Sequence, residues 1–215
     1  MFYTHRTPRP FPYFFSGFWW RLATPQLYLT FDDGPVPEVT PFVLDTLAQF
    51  GAKATFFCVG ENIQRYPALF ERLQSEGHRV ANHTMKHENG WRTPLETYLQ
   101  SATRCQQLLP DEPGRLFRPP YGAIRPAQAQ ALRQENYQVV MWDVLSGDFD
   151  RRLSPQQCLE KSIRYSRQGS IVVFHDSRKA FPNLSYVLPR YLAYFRRQGL
   201  LEFACLPSAP PADIR

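Results

Sequence analysis

Apolar, β-branched runs of four to eight residues alternate with segments of helical period along this chain, and five of those runs lead straight into residues that can ionise or ligate. QLYLTF (26–31) runs into Asp32, Asp33, Gly34 and Pro35, and HRVAN (78–82) into His83 and then His87. RLFR (115–118) ends on Arg118 and continues through Pro119 and Pro120 to Tyr121; YQVVMWDV (137–144) carries Asp143 and leads to Asp148; SIVVF (170–174) runs into His175 and Asp176. With KATFFC (53–58) and EFACL (202–206) the expectation is seven strands. Between them lie VTPFVLDTLAQF, PALFERLQSE, TPLETYLQSATRCQQLL, PAQAQALRQEN, SPQQCLEKSIRYSRQ and LSYVLPRYLAYFRRQ, several opened by a Thr, Ser or Pro of the kind that starts helices. Gly51, Gly77, Gly169 and Gly199 fall where helices should stop. Strand, helix, strand repeated this often needs a mostly parallel sheet with helices outside, as an open doubly wound sheet or a closed barrel. In either, the carboxyl ends of the strands share one face, and active sites are built there.

The 215 residues, 43% of them hydrophobic and 20% charged, fit one α/β domain and exclude a disordered or low-complexity chain. The net charge of +6 is spread along the chain rather than gathered in runs, so no nucleic-acid partner is expected. Cys58, Cys105, Cys158 and Cys205 form no CxxC pair, which excludes a zinc ribbon or dithiol motif and reads as four free thiols. Cys58 also ends a strand, yet no base neighbours it, so a buried thiol is expected rather than a nucleophile. The aromatic start FPYFFSGFWWRL (11–22) is broken by Pro12, Ser16 and Arg21, too short for a membrane span and without the form of a secretory signal. A cytoplasmic chain is the expectation, with peripheral membrane or cell envelope as the alternative. That start either packs over the bottom of a barrel or lies on a membrane surface beside Arg6, Arg9 and Arg21. The expected divisions are residues 1–25 as an extension, 26–206 as the folded α/β domain and 207–215 as a flexible tail.

Adjacent residues of a strand point to opposite faces, so Asp32 and Asp33 can serve one site only where their strand ends, which Gly34-Pro35 marks. Asp-Asp-Gly-Pro alone is an ordinary turn; an apolar strand feeding into it is not. His83 and His87 are four residues apart, so a helical turn after the strand would put both imidazoles on one face, a spacing that chelates a divalent metal. One carboxylate from Asp32 or Asp33 completes a two-His, one-carboxylate set that leaves coordination positions open for water and substrate. His175 would sit across the site as a general acid, its pKa raised by a carboxylate such as Asp148. Arg118 can pair with whichever aspartate does not bind metal. His5 and His78 lie away from this face. GxSxG, Walker A and GxGxxG sequences are absent.

TFDDGP (30–35), HTMKH (83–87), RPPYG (118–122), WDVLSGDF (142–149) and VVFHD (172–176) resemble, in order and spacing, the five motifs of the NodB-homology polysaccharide deacetylases, carbohydrate esterase family four. The resemblance covers roughly residues 26 to 206. It implies a distorted (β/α) barrel of about seven parallel strands, a bound divalent metal, zinc first with cobalt or nickel as alternatives, and hydrolysis of an N-acetyl or O-acetyl group from a sugar of an acetylated poly- or oligosaccharide. Carried over by position, it makes Asp32 the catalytic base, Asp33 the metal ligand beside His83 and His87, and Arg118 the partner of the base. Tyr121 would offer its backbone N–H to the oxyanion, and His175 would be the general acid, oriented by Asp148. The family usually has Trp after the aspartate of the fourth motif, in the groove for the acetyl methyl. Phe149 stands there in this chain, which changes the shape of that groove. The rival expectations are a metal-dependent hydrolase of another amide or acyl substrate on the same scaffold, and a non-catalytic carbohydrate-binding relative.

Overall fold

Side chains that alternate across each strand sort the molecule into an interior and an outer layer, in a computed structural model that describes residues 4–8, 11–15, 17–199 and 202–209. In chain order the elements are α1 (Phe11–Phe14), β1 (Tyr28–Asp32), α2 (Thr40–Gln49), β2 (Thr55–Cys58), α3 (Gly60–Arg65), α4 (Pro67–Ser75), β3 (Arg79–Asn82) and α5 (Leu95–Gln106). There follow β4 (Arg115–Phe117), a 3-10 turn at Pro120–Gly122, α6 (Pro126–Gln134), β5 (Tyr137–Val139), β6 (Val144–Leu145), α7 (Pro155–Tyr165), β7 (Ile171–His175) and α8 (Phe181–Gln198). All seven strands are parallel, in the order β5-β4-β3-β2-β1-β7-β6. This sheet is curled into a half-barrel, the distorted (β/α) barrel expected from the motifs.

Two expected strands are corrected. YQVVMWDV is not one strand: β5 pairs with β4, β6 pairs with β7, and residues 140–143 carry the chain from one edge of the sheet to the other. The seam so left is filled by the segment before β1. Trp19 N–H donates to Val139 O at 2.9 Å, Met141 N–H donates to Trp19 O at 2.7 Å, and Leu22 N–H donates to Gly169 O at 2.9 Å. Gly169 is required at that closure, because it adopts φ +75° and a Cβ there would lie 1.7 Å from Leu22 O. EFACL forms only a single bridge, Phe203 to Leu27, rather than a strand, and the seventh strand is supplied instead by the split of the fifth run.

Inward-facing Tyr28, Phe57, Ala81, Leu116, Val140 and Ile171 fill the lower half of the barrel, and Trp19, Leu22 and Leu206 pack with them. Of the two readings of the aromatic start, packing over the bottom of the barrel therefore describes Trp19 and Leu22. Phe11 and Phe15 are 48% and 39% exposed. Outward-facing Leu29, Phe31, Phe56, Cys58, Val172 and Phe174 meet Val43, Leu44 and Leu47 of α2, Phe70 and Leu73 of α4 and Leu184, Leu188 and Tyr191 of α8. On the other flank Phe117, Val139 and Met141 pack under Tyr98, Ala102 and Leu132 of α5 and α6, with Trp20. Cys58, Cys105 and Cys158 are buried free thiols and Cys205 is a half-buried one. Burial pushes Cys58 well above the usual thiol range. Among the described residues no helix is long and apolar enough to cross a membrane. The tail expected to be flexible lies, from residue 210 onward, outside the described residues.

Candidate active site

With its lower half filled by apolar side chains, the barrel leaves its upper half to polar ones. Thr30 and Asp32 follow Tyr28 on the inward face of β1, and Arg118 crosses beneath the mouth, fully buried. Its guanidinium lies 4.0 Å from the Phe57 ring centroid. Its Nη1 donates to Asp32 Oδ1 and to Thr30 Oγ1, both at 2.7 Å, Nη2 donates to Met141 O at 3.0 Å and Nε donates to Val140 O at 3.3 Å. The carbonyls it takes belong to the crossing between β5 and β6, where the sheet leaves them unpaired.

Asp33, His83 and His87 converge at the mouth, with ligand atoms within 4.8 Å of one another. Asp33 Oδ1 is 3.1 Å from His87 Nε2 and 3.8 Å from His83 Nε2. Zinc bonds of about 2.0–2.2 Å at a tetrahedral angle would separate neighbouring donor atoms by about 3.4 Å, so the residues present fit a divalent ion. His83 Nδ1–H donates to Arg118 O at 2.8 Å, which fixes the tautomer and leaves Nε2 as the free lone pair. Burial pulls His83 down to about 4 against the pull of Asp32 and Asp33, so the ring is neutral at pH 7, as a ligand must be. Burial alone would raise Asp33, but the hydrogen bond from His87 and the positive charge of His175 hold its carboxyl well below the usual carboxylate range.

The two histidines meet by a different route from the one the spacing suggested. Residues 83–87 form no helical turn: Thr84 and His87 adopt φ 66° and 59°, and the segment loops back so that the rings stand 5.0 Å apart. Asn82 Oδ1 accepts Thr84 N–H and Ser101 Oγ accepts Met85 N–H, so polar groups of β3 and α5 replace the bonds a helix would have made.

Asp32 and His175 are register partners on β1 and β7. Asp148 grips His175 twice, accepting its backbone N–H at 2.8 Å and its Nδ1–H at 2.7 Å. Burial lowers the His175 pKa, but the carboxylate of Asp148, helped by Asp33 and Asp32, raises it to about 9. The ring of Phe149 stands edge-on to His175 at 5.1 Å. Tyr121 is 54% exposed, holds φ 61° and packs its ring 4.5 Å from His87. The 3-10 turn is bonded through Gly122 N–H and Ala123 N–H, which leaves Tyr121 N–H out of it.

All nine expected site residues thus lie at this mouth. Asp143 does not: it precedes β6, at the opposite end of the barrel, and accepts a bond from the Ser170 hydroxyl at 2.6 Å. His5 and His78 also stay away, bonding Leu145 O and Ala54 N–H. Asn62 and Trp91 were not singled out in the sequence, and Asp176 was named at a strand end without a role. Asn62 of α3, a helix the periodicity did not disclose, donates to Asp33 O at 2.7 Å. Asp176, fully buried, accepts Gly34 N–H and the Thr40 hydroxyl, and burial pushes it up to about 8, against Thr40 and with Asp33. Trp91, four residues after His87 in sequence and 63% exposed, is pinned by Nε1–H to Ile124 O at 3.3 Å and through its carbonyl to Arg125.

The family model described as polysaccharide deacetylase matches residues 21–140. Two peptidoglycan-N-acetylglucosamine deacetylases of Bacillus cereus are 34% identical, one over 80% of this chain and 82% of its own length, the other over 71% and 56%. A chitooligosaccharide deacetylase of Sinorhizobium fredii is 35% identical over 72% of this chain and 73% of its own. Among solved structures, a peptidoglycan N-acetylglucosamine deacetylase in complex with 4-naphthalen-1-yl-N-oxidanyl-benzamide superposes with a TM-score of 0.84 at 28% identity, covering 94% of this chain and 96% of that one.

Proposed function

The chain belongs to the polysaccharide deacetylase family, and from that premise we propose that it hydrolyses the acetyl group from N-acetylated sugars of an oligo- or polysaccharide, with a divalent metal held by Asp33, His83 and His87. The observation that carries the reading is the gathering of two sets of groups at one barrel mouth. The ligand cluster comes from the ends of β1 and β3 and the Asp148–His175 pair from the ends of β6 and β7, with the Arg118-bound Asp32 in register with His175. The substrates named for the relatives, peptidoglycan N-acetylglucosamine and chitooligosaccharide, share an N-acetylated amino sugar, and this is the group assigned to the site.

A divalent cation bound there supplies positive charge that polarises the acetyl carbonyl and acidifies water. The chain's own residues do the rest. Asp32, held by Arg118, takes the proton from the attacking water. Tyr121 N–H donates to the carbonyl oxygen as it becomes an anion. His175 gives its proton to the departing nitrogen, and Asp148 keeps the ring aimed and charged until then. Phe149 walls the acetyl methyl with an apolar edge. The test is acetate release from N-acetylated oligosaccharides by protein stripped with chelator and reloaded with zinc, cobalt or nickel. Metal-restored release supports the reading; stoichiometric metal without release from any acetylated sugar would remove it.

Two further outcomes are expected. Since His175 titrates near 9, it carries its proton at neutral pH and loses it as pH rises, so kcat falls on the alkaline side. Asp148→Asn removes the charge that holds the proton and should move that alkaline limb down by about one to three pH units. An unmoved limb would separate Asp148 from the acid. Trp91, a rigidly held exposed indole no more than about 15 Å along the chain from His87, offers an apolar face to the next sugar ring. Trp91→Ala should raise KM for tetrasaccharides while leaving turnover of a small acetyl ester unchanged, and equal effects on both would refute that contact.

A further inference from the structure

Residue 176 reaches the backbone on both sides of Asp33. Its N–H donates to Asp32 O at 3.1 Å, and its side-chain Oδ1 accepts Gly34 N–H at 3.0 Å. The second carboxylate oxygen accepts the Thr40 hydroxyl at 2.6 Å, and Thr40 Oγ1 in turn accepts Val36 N–H at 2.7 Å, which ties the grip to the first turn of α2. Between the two bonds Asp33 adopts φ 84°, a left-handed conformation that side chains of L residues avoid unless their surroundings impose it. The Asp33 and Gly34 carbonyls are held separately, by Asn62 Nδ2 and Val59 N–H, so along residues 32–34 it is the Gly34 N–H whose bond depends on the Asp176 side chain. Gly34 is shaped for it: a Cβ there would lie 1.9 Å from Asp176 Oδ2, and its φ is not left-handed, so glycine supplies room rather than backbone freedom.

We propose that Asp176 is a positioning residue that locks the Asp33 carboxylate toward His83 and His87 and thereby sets the affinity of the site for its metal, an inference that rests on reading those three residues as ligands. Asp176 touches neither the ligand atoms nor the groups assigned to proton transfer. It acts through the backbone conformation of its neighbour across the β1–β7 pair.

The experiment is equilibrium titration of zinc into metal-free protein against a competing chromophoric chelator, below each variant's unfolding temperature. Asp176→Ala should weaken zinc binding about 10- to 100-fold, the usual cost of losing a group that orients a ligand. Asp176→Asn keeps the shape and an oxygen for Gly34 N–H, while its amide N–H donates to Thr40 Oγ1 where the carboxylate accepted from it, and should retain affinity close to that of the parent. A residue that served only stability would lower the unfolding midpoint without moving the zinc affinity of the folded protein, so an unchanged affinity in Asp176→Ala overturns the proposal. Should that variant not fold, Gly34→Ala displaces the same carboxylate from the other side and should weaken zinc similarly; parent-like binding there overturns the proposal too. Wild-type protein that binds no zinc would take down the ligand reading itself, a result distinct from tight wild-type binding that Asp176→Ala leaves unmoved.

Discussion

An Asp32→Asn protein is expected to load metal as the parent does and to release acetate about 10²- to 10⁴-fold more slowly. The substitution keeps an oxygen to accept from Arg118 Nη1, now 2.7 Å away, so the hub beneath the mouth stays assembled. It leaves the ligand cluster complete, since Asp32 is not among Asp33, His83 and His87. What it removes is the capacity to accept a proton from water. Parallel measurement of bound zinc and of acetate release separates this outcome from simple loss of the site. A variant that binds zinc and turns over like the parent would show that Asp32 is not the base.

The second large effect is on stability. Arg118→Met is expected to destabilise the protein by about 3–5 kcal/mol, because it leaves the Asp32 charge buried without its partner. It also leaves the carbonyls of Val140 and Met141 without their donor, while Thr30 Oγ1 keeps its own bond to Val172 O. Lysine is no substitute, since one ammonium cannot reach four acceptors in a plane while stacking on Phe57. Urea unfolding of the metal-free proteins measures the loss. Because the penalty lies mostly in the uncompensated charge, Asp32→Asn combined with Arg118→Met should cost less than the sum of the two single changes. Additive costs would mean that the pair is not coupled.

Groups that end buried parallel strands converge whatever their separation in sequence, which is why the mouth was legible in the chain. Asp32, His83, Arg118 and His175 each follow an apolar run, and the fold only had to place those runs side by side. Where neighbouring bonds decide the path, sequence spacing misled. The four-residue separation of His83 and His87 suits a helix, but the left-handed turn at Thr84, stabilised by Asn82, brings the rings together without one. The run at 137–144 has strand composition throughout and no signal for the change of edge, because both edges offer it the same hydrogen bonds. Asp176 was passed over for a related reason. Strand alternation turns His175 inward and the next residue outward, toward α2, where its use depends on a Thr and a Gly that local sequence does not connect to it.

The place of β1 between β2 and β7 sets an order of assembly during synthesis. Every metal-ligand candidate and Arg118 belong to the first 118 residues, whereas Asp148, His175 and Asp176 emerge in the last third of the chain. β1 must therefore wait for a partner far along the chain, Leu29 pairing with Val172, whereas β2 follows it closely on the other side. On the ribosome, the stretch that carries Asp33, His83 and His87 emerges before the one that carries Asp148 and His175, and the bond from Gly34 N–H to Asp176 closes only when β7 docks.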